Sequence, residues 1–279
     1  MPARTITDKQ EIELVNRYIA GESAVTISKD IGCSSATIYK YLRLSGVTPR
    51  TMEERKLPLN QEKFDILTPE SLYWAGFMAA DGCIYHQKGK VPYISLGLST
   101  KDEDHVVKFK TFLESGHKLS VSTSKNSFGE FSKCQFQVRS SILADRLTNL
   151  GVKGPILSKE LIRSRDFWRG VVDGDGSVSK RIDKPLVELY GYKYILEPFV
   201  EFLRESLGID PKIHPRSSIY RVQIGGTPCA RVLAELYSDA DHYLDRKKER
   251  ADAIIEHFQE KARIKDNKSL FSRNGDPYR

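Results

Sequence analysis

Between residues 131 and 139 apolar and polar side chains alternate: Cys134, Phe136 and Val138 fall on one side, Lys133, Gln135, Gln137 and Arg139 on the other. A period of two marks a strand with one face in a core and one in water. Tyr220, Val222 and Ile224 oppose Arg221 and Gln223 in the same way. Further strands are predicted at 84–87, 93–98, 119–123, 178–180, 186–189 and 212–215, and helices at 102–113, 142–150, 194–207 and 230–237. Residues 6–44 read differently, as helices only. Ile12, Leu14, Val15, Tyr18 and Ile19 form an apolar stripe that Gly21 ends; residues 24–31 make a second helix, and Gly32-Cys33 turns the chain into a third over 34–44, capped by Ser34 or Ser35. Ile27, Ile31, Ile38 and Tyr41 are its predicted core. At the other end, 245–260 reads as an amphipathic helix with a charged face carrying Arg246, Lys247, Lys248 and Arg250, which suits solvent or phosphate, and 261–279 as a frayed basic tail.

The strand and helix pattern occurs twice, and so does one phrase. Trp74-Ala75-Gly76-Phe77-Met78-Ala79-Ala80-Asp81-Gly82 returns 94 residues later as Trp168-Arg169-Gly170-Val171-Val172-Asp173-Gly174-Asp175-Gly176. Each copy reads as a buried helix stopped by a C′ glycine, with a carboxylate in its last turn. A helix C-terminus is itself partly negative, so an acid there is disfavoured by about 0.3–1 kcal/mol unless a cation lies beside it. Accepting that cost at equivalent points of a repeat suggests two acids meeting around a divalent metal. The chain accordingly divides into a small all-α domain (1–50), a linker (51–65), two repeats (66–155 and 156–245) and a C-terminal helix with a basic tail (246–279).

Composition narrows the partners. With 44 Lys and Arg against 37 Asp and Glu, the formal charge is +7, which fits a polyanion without requiring one. No segment has the length of a signal peptide core or a bilayer span, so an intracellular, cytoplasmic protein with no membrane partner is expected. Cys33, Cys83, Cys134 and Cys229 lack the paired spacing of a zinc or redox site and read as reduced packing residues.

The first 44 residues resemble the helix-turn-helix modules of resolvases and transcription regulators, which implies that Ser35, Thr37, Lys40 and Arg43 face a DNA major groove. A three-helix interaction domain without DNA is the alternative. The two repeated phrases resemble the LAGLIDADG signature of homing endonucleases, and the order of elements over roughly 66–250 is similar to that family's. The resemblance implies an α+β fold of tandem αββαββα repeats with two DNA-facing antiparallel sheets. It implies two motif helices packed at a pseudo-two-fold interface through Ala75, Gly76 and Gly170, with Asp81 and Asp175 as catalytic and metal-binding acids. Mg²⁺ is the implied cofactor, with Mn²⁺ as a substitute, because it suits oxygen ligands and keeps waters. The implied partner is double-stranded DNA with a long, roughly pseudo-palindromic target, cut once per strand by a monomer that needs no obligate protein partner.

Lys133, Gln135, Gln137, Arg139, Arg221 and Gln223 are the candidate base readers, since arginine pairs with guanine and glutamine with adenine in the major groove; any half-solvated sheet also alternates. Asp173, at the sixth motif position where the first copy has Ala79, reads as a structural or capping residue. Many members of the family place a lysine or glutamine near the centre; the stretches at 140–141 and 226–227 offer neither, leaving Lys101, Arg139, Lys180 and Arg221 as auxiliary candidates. Lys101 suits a phosphate contact or a solvated charge equally well. Met1-Pro2 at one end and Tyr278-Arg279 at the other do not match an intein, so a free-standing enzyme is expected. The alternatives are a catalytically inactive DNA-binding regulator of the same fold and an RNA maturase acting on intron RNA.

Overall fold

The computed structural model describes residues 6–51, 56–126 and 129–273. It forms two units that divide at Leu57/Pro58.

The first unit consists of α1 (Asp8–Ile19), α2 (Ala24–Ile31) and α3 (Ser35–Leu44). Each begins with a side-chain cap, Thr7, Ser23 and Ser34 respectively, so Ser34 rather than Ser35 caps the third helix. Gly32 ends α2 with φ 77, a left-handed backbone that glycine adopts without strain. Leu14, Tyr18, Ala24, Ile27, Ile38 and Leu42 are buried together, with Ile31 and Tyr41 packed only partly against them. The expected stripe on α1 is narrower than the sequence implied: Leu14 and Tyr18 are buried and Val15 packs partly against the core, while Ile12 and Ile19 are 65% and 67% exposed.

The second unit contains α4 (Pro69–Ala80), β1 (Gly82–Tyr85), β2 (Tyr93–Ser99), α5 (Glu103–Phe112), β3 (Ser120–Asn126), β4 (Gly129–Arg139) and α6 (Ser141–Asn149). There follow α7 (Lys159–Ile162), α8 (Arg165–Asp175), β5 (Gly176–Val178), β6 (Leu186–Gly191), α9 (Lys193–Leu207), β7 (Ile213–Arg216), β8 (Ile219–Gly225), α10 (Gly226–Tyr237) and α11 (Asp245–Arg273). The strands make two antiparallel sheets in orders β1-β2-β4-β3 and β5-β6-β8-β7, the same topology twice. Ile94, Leu96, Phe136 and Val138 of one sheet, and Val187, Leu189, Val222 and Ile224 of the other, are buried in one continuous core with α4 and α8.

Four expectations are corrected. Residues 58–65 are not linker: Gly116 donates to the Pro58 carbonyl, Asn60 donates to the Leu113 carbonyl and Phe64 is buried, so an apolar anchor draws this stretch into the second unit. Residues 52–55 of the linker lie outside the described residues. The last helix runs through 261–273, where a frayed tail was expected, and 274–279 lie outside the described residues. Cys83 is exposed, not a packing residue of the core, whereas Cys134 and Cys229 are buried; all four cysteines are free.

The fourth concerns the motif glycines. Gly176 has extended backbone (φ −86, ψ 167), so it is the first residue of a strand and not a left-handed stop. A Cβ on Gly82 would lie 2.6 Å from the Met78 carbonyl oxygen, and one on Gly176 2.5 Å from that of Val172. Glycine is needed so that the strand can leave across the helix's own last turn, which is why β1 and β5 each begin two residues earlier than predicted.

The same constraint acts between helices. A Cβ on Gly76 would lie 2.0 Å from the Phe167 carbonyl oxygen, and one on Gly170 2.1 Å from that of Tyr73. Backbone touches backbone, with no room for a side chain. Ala75 is buried as well, but the closest approach rests on the two glycines. Gly170→Ala is therefore expected to destabilise by about 3 kcal/mol or more in urea denaturation, since the helices must separate. Gly191→Ala, whose Cβ would meet nothing nearer than 3.8 Å, should change stability by less than about 0.5 kcal/mol. Equal losses in the two variants would remove the helix contact as the cause.

Candidate active site

The packed pair delivers one acid from each helix end. Asp81 is the C-cap of α4, and Asp175 is the last residue of α8. Gly174 lies between them, and a Cβ there would come within 3.2 Å of Asp81 Oδ2 and 2.3 Å of Ala80 Cβ. Both carboxylates reach solvent. Partial desolvation raises the pKa of each, and the negative charge of Asp81 pushes Asp175 up further, while Lys153 and Lys247 oppose both shifts.

Those two lysines are the residues that sequence reasoning missed or misplaced. Lys153 Nζ donates to the Ala80 carbonyl at 2.6 Å, at the C-terminus of α4. Its backbone is left-handed (φ 63), which disfavours a residue other than glycine by about 1–2 kcal/mol, so the loop after α6 holds it there against strain. Lys247 is 2% exposed and donates to the carbonyls of Val172 (2.7 Å), Asp173 (2.6 Å) and Gly176 (2.7 Å). Each supplies the cation that a negative helix end carrying an acid requires. Lys247 follows Lys153 by 94 residues, the spacing that separates Asp175 from Asp81; extending the repeat past the motifs would have found the pair. Burial lowers the pKa of both, that of Lys247 to about 8.

The charged face expected on α11 is partly buried and largely paired at its start, although Asp245 and Arg246 stay exposed. Lys247 is a buried cap, Arg246 pairs with Asp102 (3.0 Å), Asp245 with Lys108 (2.7 Å), Lys248 with Asp252 (2.6 Å), and Arg250 donates to the Val178 carbonyl (3.2 Å). Asp245 and Arg246 grip the first repeat while Lys247 grips the second.

Beneath the acids lies a buried polar network. Asp173 is buried and accepts from Tyr237 Oη (2.7 Å), Tyr73 Oη (2.8 Å) and the Leu244 amide (2.7 Å). Burial pushes its carboxyl up; Lys247 and these three donors hold it down. Since the one hydroxyl proton of Tyr73 goes to Asp173, its oxygen accepts from His105 Nε2 at 2.9 Å, which fixes His105 as the neutral Nε2–H tautomer. Burial drives the pKa of His105 down to about 3. Arg169, the counterpart of Ala75, is also buried, donating to the carbonyls of Leu236 (2.9 Å) and His242 (2.6 Å).

The four auxiliary candidates stand elsewhere. Lys101 and Lys180 are exposed, Arg139 donates to the Val91 carbonyl (2.8 Å) beside the Tyr93 ring, and Arg221 pairs with Glu188 (3.1 Å). None is among the charges that shift Asp81 or Asp175. Of the candidate base readers, Lys133, Gln137, Arg139 and Gln223 are exposed and Gln135 and Arg221 half-buried, on the faces opposite the core. On α3, Lys40 and Arg43 are exposed, while Ser35 and Thr37 are half-buried and the Thr37 hydroxyl is tied to Ser34 Oγ at 2.8 Å.

Residues 164–237 match the family model of the LAGLIDADG-like domain. The structure of the homing endonuclease I-WcaI bound to its DNA recognition sequence matches with a TM-score of 0.54 at 12% identity, covering 75% of this chain and 96% of that one. The fold is that of the LAGLIDADG endonucleases. Two more distant likenesses are the I-LtrWI LAGLIDADG homing endonuclease bound to target DNA (TM-score 0.45, 10% identity, 73% and 92% covered) and full-length DUF199/WhiA from Thermatoga maritima (0.46, 16%, 77% and 72%). No curated protein matches the sequence. Among the described residues, no helix of this LAGLIDADG fold is long and apolar enough to cross a membrane.

The two lysines separate in a stability measurement. Lys247→Met leaves buried carbonyls and Asp173 without their cation and is expected to cost about 3 kcal/mol or more in chemical denaturation. Lys153→Met, at an exposed helix end, should cost less than about 1 kcal/mol. Equal costs would mean that burial does not distinguish them.

His105 gives a pH signature. The unfolded chain takes up its proton near pH 6.5 and the folded chain only near 3, so the unfolded state binds more protons between those values. Stability should therefore fall as the pH drops from about 6.5 towards 3, by up to about 1.4 kcal/mol per unit from this group. The stability gap between wild type and His105→Gln should narrow over that range; a constant gap would show that His105 is not held neutral.

Proposed function

We propose that this protein is a sequence-specific double-strand DNA endonuclease that hydrolyses one phosphodiester in each strand with the help of divalent metal. The observation that carries the reading is the convergence of Asp81 and Asp175, one from each repeat, at the joined ends of two helices. Two carboxylates whose pKa values burial raises, that of Asp175 further through the charge of Asp81, and which are open to solvent, form a site that a cation would stabilise.

The donor set fits magnesium. Among the described residues no three His, Cys, Asp or Glu side chains gather into a protein-only cage. Two carboxylates suit an ion that keeps several of its own waters. Asp81 and Asp175 would hold it, and the bound ion would supply a nucleophile and stabilise charge on the phosphate and leaving oxygen. The chain's own contribution is position and field. Gly76 and Gly170 set the spacing of the acids, and Lys247 fixes the end of α8. Lys153, fastened to the end of α4 but exposed, is the cation free to face a phosphate and offset the charge that builds on it.

Double-stranded DNA is the proposed partner, lying across the polar faces of the two sheets, with Lys133, Gln135, Gln137, Arg139, Arg221 and Gln223 towards the bases. Lys40 and Arg43 of α3 would add a second contact through the N-terminal unit. A non-cleaving regulator would have no use for two unpaired acids at the point nearest the phosphates, where they weaken binding.

Asp81→Asn and Asp175→Asn should each reduce cleavage of a selected target to background in the presence of Mg²⁺, while retaining or improving DNA binding in a mobility-shift titration. Cutting at the wild-type rate by either variant would remove the assigned roles.

A further inference from the structure

The two sheets can be superimposed by register alone. Gly82 pairs with Leu96 and Gly176 with Leu189; Leu96 pairs with Phe136 and Leu189 with Val222. Ser95 therefore corresponds to Glu188, Gln135 to Arg221, and Gln137 to Gln223. At one matched place the first repeat has a buried serine and a half-buried amide, and the second a carboxylate and a guanidinium joined at 3.1 Å.

We infer that Arg221 and Glu188 act as one unit that reads a single G·C pair, and that the dyad-related position of the target, under Gln135, is A·T, so the target departs from a palindrome at this pair of positions. This rests on the DNA-binding part of the reading above. Arg221 Nε is buried without a partner, which leaves the Nη end of the fork for a ligand. The bond to Glu188 uses one of four Nη hydrogens, and the rest suffice for guanine O6 and N7. The free oxygen of Glu188 can accept from N4 of the cytosine in the same base pair, whose major-groove edge adjoins guanine O6. An A·T pair in that orientation sets the adenine amino group against the guanidinium and thymine O4 against the carboxylate, so both members of the unit reject it. Because the two charges cancel, the unit adds little general attraction to phosphate, and its effect falls on base choice. Gln135, with only the small Ser95 in the place of Glu188, has the donor and acceptor that adenine N7 and N6 require.

The test is a binding selection from a randomised duplex pool with the intact chain and no divalent ion, read by sequencing. The expected wild-type profile has G·C favoured by about tenfold or more at one position and A·T at its dyad mate. Glu188→Ser with Arg221→Gln, which installs the first repeat's residues, should convert the first position to A·T and make the target more symmetric. Gln135→Arg, changed from the other side, should move the mate towards G·C whatever the fate of the double variant. The inference is overturned if the wild-type profile carries the same pair at both positions, or if the swaps leave the profile unchanged. It is equally overturned if Glu188→Gln raises affinity for all sequences alike, since the carboxylate would then merely hold Arg221 away from DNA. A selected target that Mg²⁺ does not cause to be cut would remove the nuclease reading alone, whereas no selected sequence at all would remove both.

Discussion

Two helices whose backbones touch set the geometry of everything else in the larger unit. The contact at Gly76 and Gly170 leaves no volume for even a methyl group, so the separation of α4 and α8 is fixed by van der Waals radii and not by side-chain packing that could adjust. Rigid spacing at the middle of the pair becomes rigid spacing at its end. Gly174 carries the approach down to the acids, lying against Asp81, and Gly82 and Gly176 let each strand leave immediately, so that the sheets fan out from the same point. Five glycines thus specify where two carboxylates and two sheets lie relative to one another.

Such a junction concentrates negative charge: two helix C-termini and two aspartates. The fold answers with Lys153 and Lys247, but uses them differently. Lys247 is drawn into the protein, where its ammonium satisfies three carbonyls at 2.7 Å or less and sits near buried Asp173. Desolvation lowers its pKa while the neighbouring anions limit the fall, which is how a buried cation and a buried anion tolerate each other. Tyr73, Tyr237 and the Leu244 amide complete the account of Asp173, and His105 completes that of Tyr73. The network joins α4, α5, α8, α10 and the approach to α11, so the acid at the sixth position of the second motif serves architecture. Lys153 remains outside with its charge available.

Much of this was legible in the chain because repeats and period-two alternation report directly on burial. The Cys134, Phe136, Val138 set and the Val222, Ile224 set fall in the core as their spacing requires, and the duplicated phrase marks the two helices that touch. What could not be read were the reasons that depend on the third dimension. An acid–glycine ending looks like a left-handed stop, yet the glycine is there to clear a carbonyl four residues back, a contact invisible to local propensity. Ile12 and Ile19 fit a helical stripe, but the small size of the three-helix unit leaves nothing to cover them. Lys153 lies in a loop with no periodicity, and only its 94-residue relation to Lys247 betrays it. Lys101, Arg139, Lys180 and Arg221 lie in or beside strands that alternation marks, whereas a cation held by a left-handed loop residue leaves no periodic mark.

The halves are alike in register and unlike in chemistry, and the two facts have separate causes. Register is tied to the core: a slip of one residue in β4 or β8 would turn Phe136 or Val222 into solvent, so both sheets keep the same pairing. The polar faces carry no such constraint, since Gln135 and Arg221 occupy matched positions without altering a single ladder bond. The same separation holds at the helix ends, where one scaffold position places a lysine twice, once buried and once exposed. A duplicated frame that fixes backbone while leaving outward side chains free can bind an asymmetric partner with near-symmetric geometry. The asymmetry of Ser95 and Gln135 against Glu188 and Arg221 is then a property the fold permits without disturbing register, because none of the four contributes to the apolar layer that holds the sheets in place.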